Sequence, residues 1–183
     1  MSALAGLEQA SRLSGDQVRV ELRAALAMWE RVANISFREA ADGETPNIWI
    51  GAQVDPEGWA FADVSYDAAA PAEIKPITRA LVCLNPKRGW KIGFDGNLSV
   101  YDLRYTLAHE IGHAIGLDHP SGAGQIMGFR YHEEFRELQH GDVAGAIAIF
   151  GPSGDPAAIA TSSTTLRGPG DTSSTRALRA KPH

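Results

Sequence analysis

A chain of 183 residues, 44% hydrophobic and 21% charged, is long enough to bury one real core and too short to argue for two domains. Its net charge of -5 and pI near 5.6, with no basic stripe, argue against nucleic-acid phosphate as a main partner. Cys83 is the only cysteine, which excludes an intramolecular disulfide and a zinc site built on several thiolates. Nowhere do eighteen apolar residues run together, so no membrane partner is expected.

Residues 1–15 read as an N-terminal segment, and its first six lack the basic start and long apolar run of a signal peptide. In residues 16–33, Val18, Leu22, Ala25, Leu26, Trp29, Val32 and Ala33 recur at three- and four-residue steps, which predicts a first amphipathic helix. Stretches rich in β-branched and aromatic residues follow at 35–37, 47–50, 59–66 and 79–84, separated by Gly, Pro, Asp and Asn, and read as strands of one sheet. Ser99 followed by Asp102 marks the start of a second helix, and Leu103, Leu107, Ile111, Ala114 and Ile115 carry its pattern to Gly116. Residues 142–150 give a third helix, stopped by Gly151-Pro152. From 152 to 183 Ser, Thr, Gly and Pro dominate and large apolar side chains are nearly absent, the composition of a disordered polar tail. The main domain is therefore expected at 16–151.

On the second helix lies His109-Glu110-Ile111-Gly112-His113-Ala114-Ile115-Gly116-Leu117-Asp118-His119, an H-E-x-x-H-x-x-G-x-x-H pattern. Four residues make little more than one helical turn, so His109 and His113 project from one face and both can ligate one zinc ion. A third ligand requires the helix to end. Gly116 tolerates the positive φ of a helix terminus and lets the chain bring His119 back. Three imidazoles leave a fourth position for a water whose pKa zinc lowers, and Glu110, beside His109, is placed as the general base for that water. The bland reading is three unrelated histidines.

With these residues the chain resembles the metzincin zinc metalloproteases and, within them, the matrixin, or matrix metalloproteinase, catalytic domains. The resemblance implies an α+β zincin-like fold, with a twisted mixed five-stranded sheet and three helices. It also implies one catalytic Zn2+, a protein or peptide substrate, a monomer, and an extracellular setting by analogy. Met127, eight residues after His119, matches the family's Met-turn beneath the metal; an ordinary core methionine fits the same place. Tyr131 falls where matrixins carry a tyrosine of the S1′ wall, and Phe129 where astacins and serralysins carry a tyrosine ligand that Phe cannot replace. Asp142 corresponds to an acid supporting the Met-turn region, while Gly141 replaces its usual acidic neighbour.

Gly58-Trp59-Ala60-Phe61-Ala62 looks like the family's edge strand above the cleft, with Ala60 placed to pair with a substrate lying extended and antiparallel. Tyr105, one turn before His109, matches the position that sets S1′ depth, and a tyrosine there implies a shallow pocket for a medium-sized apolar residue after the cut. Plain core packing is the alternative for Tyr105. No histidine precedes Arg104, so a second zinc site of the family type is not expected. Asp63, Asp67 and Asp95 offer oxygen ligands for Ca2+ or are simply solvated turn residues. Cys83 reads as a buried strand thiol, not a zinc-masking group. The reading is a zinc-dependent endopeptidase; the rivals are a zinc-binding interaction module and a zinc hydrolase with a narrow peptide or peptidoglycan substrate.

Overall fold

The computed structural model describes residue 4 and residues 6–55, 57–122 and 124–154; the expected polar tail lies, from Asp155 onward, outside the described residues. A five-residue helix, α1 (Leu7–Ser11), buries Leu7 completely. The long helix α2 (Gly15–Val32) starts at a capping box in which Ser14 Oγ accepts from the Gln17 amide at 3.2 Å and Gln17 Oε1 from the Ser14 amide at 2.8 Å. Val18, Ala25, Met28 and Trp29 form its buried face, at the spacing expected of an amphipathic helix.

Three strands, β1 (Ile48–Ala52), β2 (Ala60–Tyr66) and β3 (Ile77–Leu84), form a mixed sheet in the order β1-β3-β2. β1 is parallel to β3, β2 is antiparallel to it, and Ala80, Val82 and Leu84 turn inward to the core. Two short strands, β4 (Trp90–Lys91) and β5 (Tyr101–Asp102), pair in parallel as a separate ribbon. The expected single five-stranded sheet is thus corrected to three strands plus two. Residues 35–37 do not join it: the Phe37 amide is taken by Glu30 Oε1 at 2.7 Å and the Ile35 amide folds back onto Ala33 O at 2.8 Å, so two of the three amides there are committed away from a ladder.

The helix carrying the histidines is α3 (Leu103–Ala114), and its N-cap is Asp102, not Ser99. Residues 101–102 are held extended by the ribbon, which delays the helix, and Asp102 Oδ1 accepts from the Tyr105 amide at 2.9 Å. At the other end the Gly116 and Leu117 amides reach back to His113 O and Gly112 O, both at 2.9 Å, the Schellman pattern with Gly116 at φ +107°. Helix α4 (His140–Phe150) follows, and after it Ser153 donates to Arg31 O at 2.6 Å. Four helices are therefore present among the described residues, α1 being the addition. None is long and apolar enough to cross a membrane.

The core lies where α2, α3 and the inner sheet face meet. Trp29, wholly buried, donates from Nε1 to Ala108 O at 3.0 Å and so pins α2 to the middle of α3.

Candidate metal centre

One turn of α3 separates His109 from His113, and the turn at Gly116 returns His119 to them. Their three Nε2 atoms stand 3.2 Å apart in every pair. Ligands placed tetrahedrally at ~2.1 Å from one zinc are ~3.4 Å apart, so the trio matches three corners of such a site. Nδ1 of His109 is 2.7 Å from Ile126 O and Nδ1 of His113 is 2.8 Å from Leu117 O. Each ring therefore donates from Nδ1 to a carbonyl, which leaves the Nε2 lone pair facing the shared point. Burial lowers the pKa of His109 to about 4 and that of His113 in the same direction, which keeps both imidazoles in the neutral form a metal requires. Among the described residues this is the one cluster of three or more metal-donor side chains.

The Glu110 side chain lines the same cleft with only 7% of the residue exposed, and burial pushes its pKa up to about 7. That value suits a group that must both accept and return a proton near neutral pH.

Beneath the histidines, Met127 is buried against Gly112. A Cβ on Gly112 would come 2.2 Å from Met127 Sδ and 2.9 Å from Trp29 Cζ2, so glycine between the two helix histidines allows α2, α3 and the methionine turn to close together. Asp142 on α4, 2% exposed, accepts from the Met127 amide at 3.0 Å and from the Ile126 and Gln139 amides at 2.9 and 2.8 Å. It thereby fixes the carbonyl that orients His109.

The cleft encloses about 360 Å³ between α3 and the segment Ala60-Phe61-Ala62 of β2. Ala60, Tyr105 and Tyr131 all line it, with the histidines and Glu110. The end of the cleft near Tyr105 is aromatic. Tyr101 stacks between Trp59 and Tyr131 at centroid distances of 4.2 and 4.3 Å, and Tyr105 meets Tyr131 edge-on at 5.0 Å. Tyr105 is 3% exposed with its phenol pushed up to about 12 by burial, and its hydroxyl lies 3.5 Å from Gln125 O. Tyr131 is locked at its tip: the hydroxyl accepts from the Asp102 amide at 2.9 Å and donates to Glu133 at 2.8 Å.

Sequence reasoning missed Trp59 and Tyr101 as a stacked wall and the charged frame behind it. Arg136 forks onto Asp102 at 3.0 and 2.8 Å and reaches Glu21 at 3.1 Å, and Arg104 joins Glu21 at 2.7 Å. Glu133 is met by Lys91 and by the Gly96 amide at 2.6 Å. A charged residue within an apolar helix pattern, Glu21 in α2, was the available signal. Phe129 is 79% exposed and stands edge-on to His119 at 5.3 Å.

The proposed calcium acids are separate from one another in their contacts. Asp63 lies 3.9 Å from Arg79, Asp67 accepts from the Ala69 amide at 2.9 Å, and Asp95 is engaged by Lys91 and the Asn97 amide. Cys83 is buried in β3 and donates to Gln53 Oε1 at 3.5 Å.

A family model described as matrixin matches residues 5–151. The chain is 28% identical over 146 residues to metalloendoproteinase 1-MMP of Arabidopsis thaliana, covering 77% of this chain and 40% of that protein. It is 31% identical over 150 residues to matrix metalloproteinase-19 of Mus musculus, covering 77% and 26%. Serralysin of Photorhabdus laumondii is 32% identical over 96 residues, covering 51% and 18%. The chain thus spans less than half the length of these relatives. Because the match covers most of the chain and includes the histidine helix, the chain belongs to the matrixin family of metalloproteases.

Proposed function

We propose that this chain is a zinc-dependent endopeptidase in which His109, His113 and His119 hold the metal and Glu110 is the general base. The observation that carries the reading is the trio of Nε2 atoms 3.2 Å apart in a cleft shared with a buried carboxylate raised to about 7. When bound, zinc supplies a more acidic water and a Lewis acid for the scissile carbonyl. Glu110 takes a proton from the attacking water as its oxygen bonds to the carbonyl carbon, and passes a proton to the departing amine as the C–N bond breaks. The free edge of β2 at Ala60 pairs with the backbone of an extended peptide running antiparallel. Tyr105 and Tyr131 bound the pocket for the side chain after the cut, and the buried, edge-packed Tyr105 favours a medium-sized apolar residue there.

An unstructured protein such as casein provides the test. Zinc-loaded protein is expected to cut it, to stop on chelation and to recover when zinc returns. Failure to cut casein with one zinc bound per chain would remove the general endopeptidase reading.

A further inference from the structure

At the aromatic end of the cleft the Tyr131 ring is held in two ways. Its face lies nearly parallel to Tyr101, with 17° between the planes at 4.3 Å, and it meets Tyr105 edge-on at 5.0 Å. Ring contacts of this kind set the tilt of a ring better than its lateral position, because stacked pairs are comfortable at a range of offsets. The lateral position is fixed at the tip, where the Asp102 amide donates to the hydroxyl at 2.9 Å and the hydroxyl donates to Glu133 Oε1 at 2.8 Å. Burial raises the pKa of the phenol, so the proton stays in that second bond.

Glu133 is itself held by a separate segment. Its side chain is 6% exposed, the Asp95 and Gly96 amides donate to Oε2 at 3.1 and 2.6 Å, and the Lys91 ammonium pairs with Oε1 while donating to Asn97 O at 2.9 Å. Such partners keep a buried carboxylate charged, and its bonds are stronger than those between neutral groups. Closing residues 91–97 onto Glu133 requires the amides and the ammonium. The bond to Tyr131 serves no part of that closure and instead orders a ring that lines the cleft beside the histidines and Glu110.

We propose that Glu133 is a positioning residue for selectivity: by holding the Tyr131 hydroxyl it fixes the wall at the aromatic end of the cleft and excludes side chains larger than leucine there. The proposal rests on the endopeptidase reading above and names a residue behind the cleft on which the pocket depends. A wall that cannot yield makes an oversized side chain an overpacked one, whereas a wall that can slide accommodates it.

The test uses two quenched fluorescent peptides that differ only in the residue after the cut, Leu in one and Phe in the other. Glu133→Ala should raise the Phe-over-Leu ratio of kcat/KM by about fivefold, expressed in KM, with zinc content unaltered. Glu133→Gln keeps an acceptor for the phenol and should recover most of the native ratio. Tyr131→Phe keeps the ring and removes the tether, so it should reproduce the alanine variant, and the two changes together should go no further than either alone. Glu137→Gln, which breaks an exposed bridge to Arg31, should leave the ratio as it is. An unchanged ratio in Glu133→Ala or Tyr131→Phe, no recovery in Glu133→Gln, or equal losses on both peptides would overturn the proposal and leave the endopeptidase reading standing. Should Glu133→Ala fail to fold, Tyr131→Phe decides: a raised ratio that added Glu133→Gln does not raise further supports the tether, and any other result overturns it. Cleavage of neither peptide with zinc bound would overturn the endopeptidase reading. Binding of the two peptides to zinc-loaded Glu110→Gln protein would then judge the tether, where a Phe-over-Leu affinity ratio raised by added Tyr131→Phe supports it and an unchanged ratio, or no binding, overturns it.

Discussion

The floor and the roof of this cleft are built in opposite ways. The floor is held from several directions: Trp29 bonds to Ala108 in α3, Asp142 receives three backbone amides, and His109 and His113 each donate to a carbonyl. The roof is a strand that, among the described residues, is bonded on one side only, and the rim carries Tyr66, Ile74 and Phe129 largely exposed. A metal site demands fixed ligands, because an imidazole misplaced by an ångström no longer binds. A peptide that pairs through its backbone needs an accessible edge and shallow side-chain contacts. The contacts that fix the fold are therefore concentrated in the floor, and the selectivity we propose belongs to the roof and the aromatic end of the cleft.

The largest stability effect should come from breaking the floor at Asp142. Asp142→Ala removes the acceptor of three amides, two of them beneath the histidines, and should cost ~4 kcal/mol in urea unfolding while loosening the Ile126 carbonyl that orients His109. A loss under ~1 kcal/mol would mean the floor is not braced there.

A smaller effect, dependent on pH, comes from the two ionisable groups of the metal-free floor. Glu110 is raised from 4.5 to about 7, so between those values the fold holds a proton that the unfolded chain releases, and stability falls as pH rises through this window. His109 is lowered from 6.5 to about 4, so there the unfolded chain holds the extra proton and stability falls as pH falls. Glu110→Gln removes the first contribution only. Relative to the native chain, the metal-free variant should gain up to ~3 kcal/mol between pH 4 and pH 8. A difference that stays constant with pH in urea titrations would contradict the buried carboxyl.

The smallest expected change sharpens the roof side of the comparison. Tyr105→Leu should open the aromatic end of the cleft and shift the kcat/KM ratio for Phe over Leu after the cut by about tenfold, with little change in zinc content. An unchanged ratio would make Tyr105 a packing residue only.

The same division governs what the sequence made legible. Histidine spacing, the methionine after it and the α2 periodicity are local patterns, each legible within one short stretch of chain, although α2 and the methionine turn are held by the distant Ala108 and Asp142. The misplaced start of α3 had a non-local cause: pairing of residues 101–102 with Trp90 and Lys91 keeps them extended, and no short-range pattern carries that information. Likewise 35–37 has strand composition, but Glu30 from α2 takes its amide. The Trp59–Tyr101–Tyr131 stack joins three distant segments. Surfaces made by assembly are visible only once the segments are placed.

The most direct test of the central claim is zinc content and casein cleavage measured together in the native chain and in Glu110→Gln. The account predicts one zinc per chain in both and a loss of turnover of ~10²- to 10⁴-fold in the variant alone. Comparable turnover in the variant with zinc retained would contradict the role given to Glu110, and zinc bound in neither protein would contradict the histidine site itself.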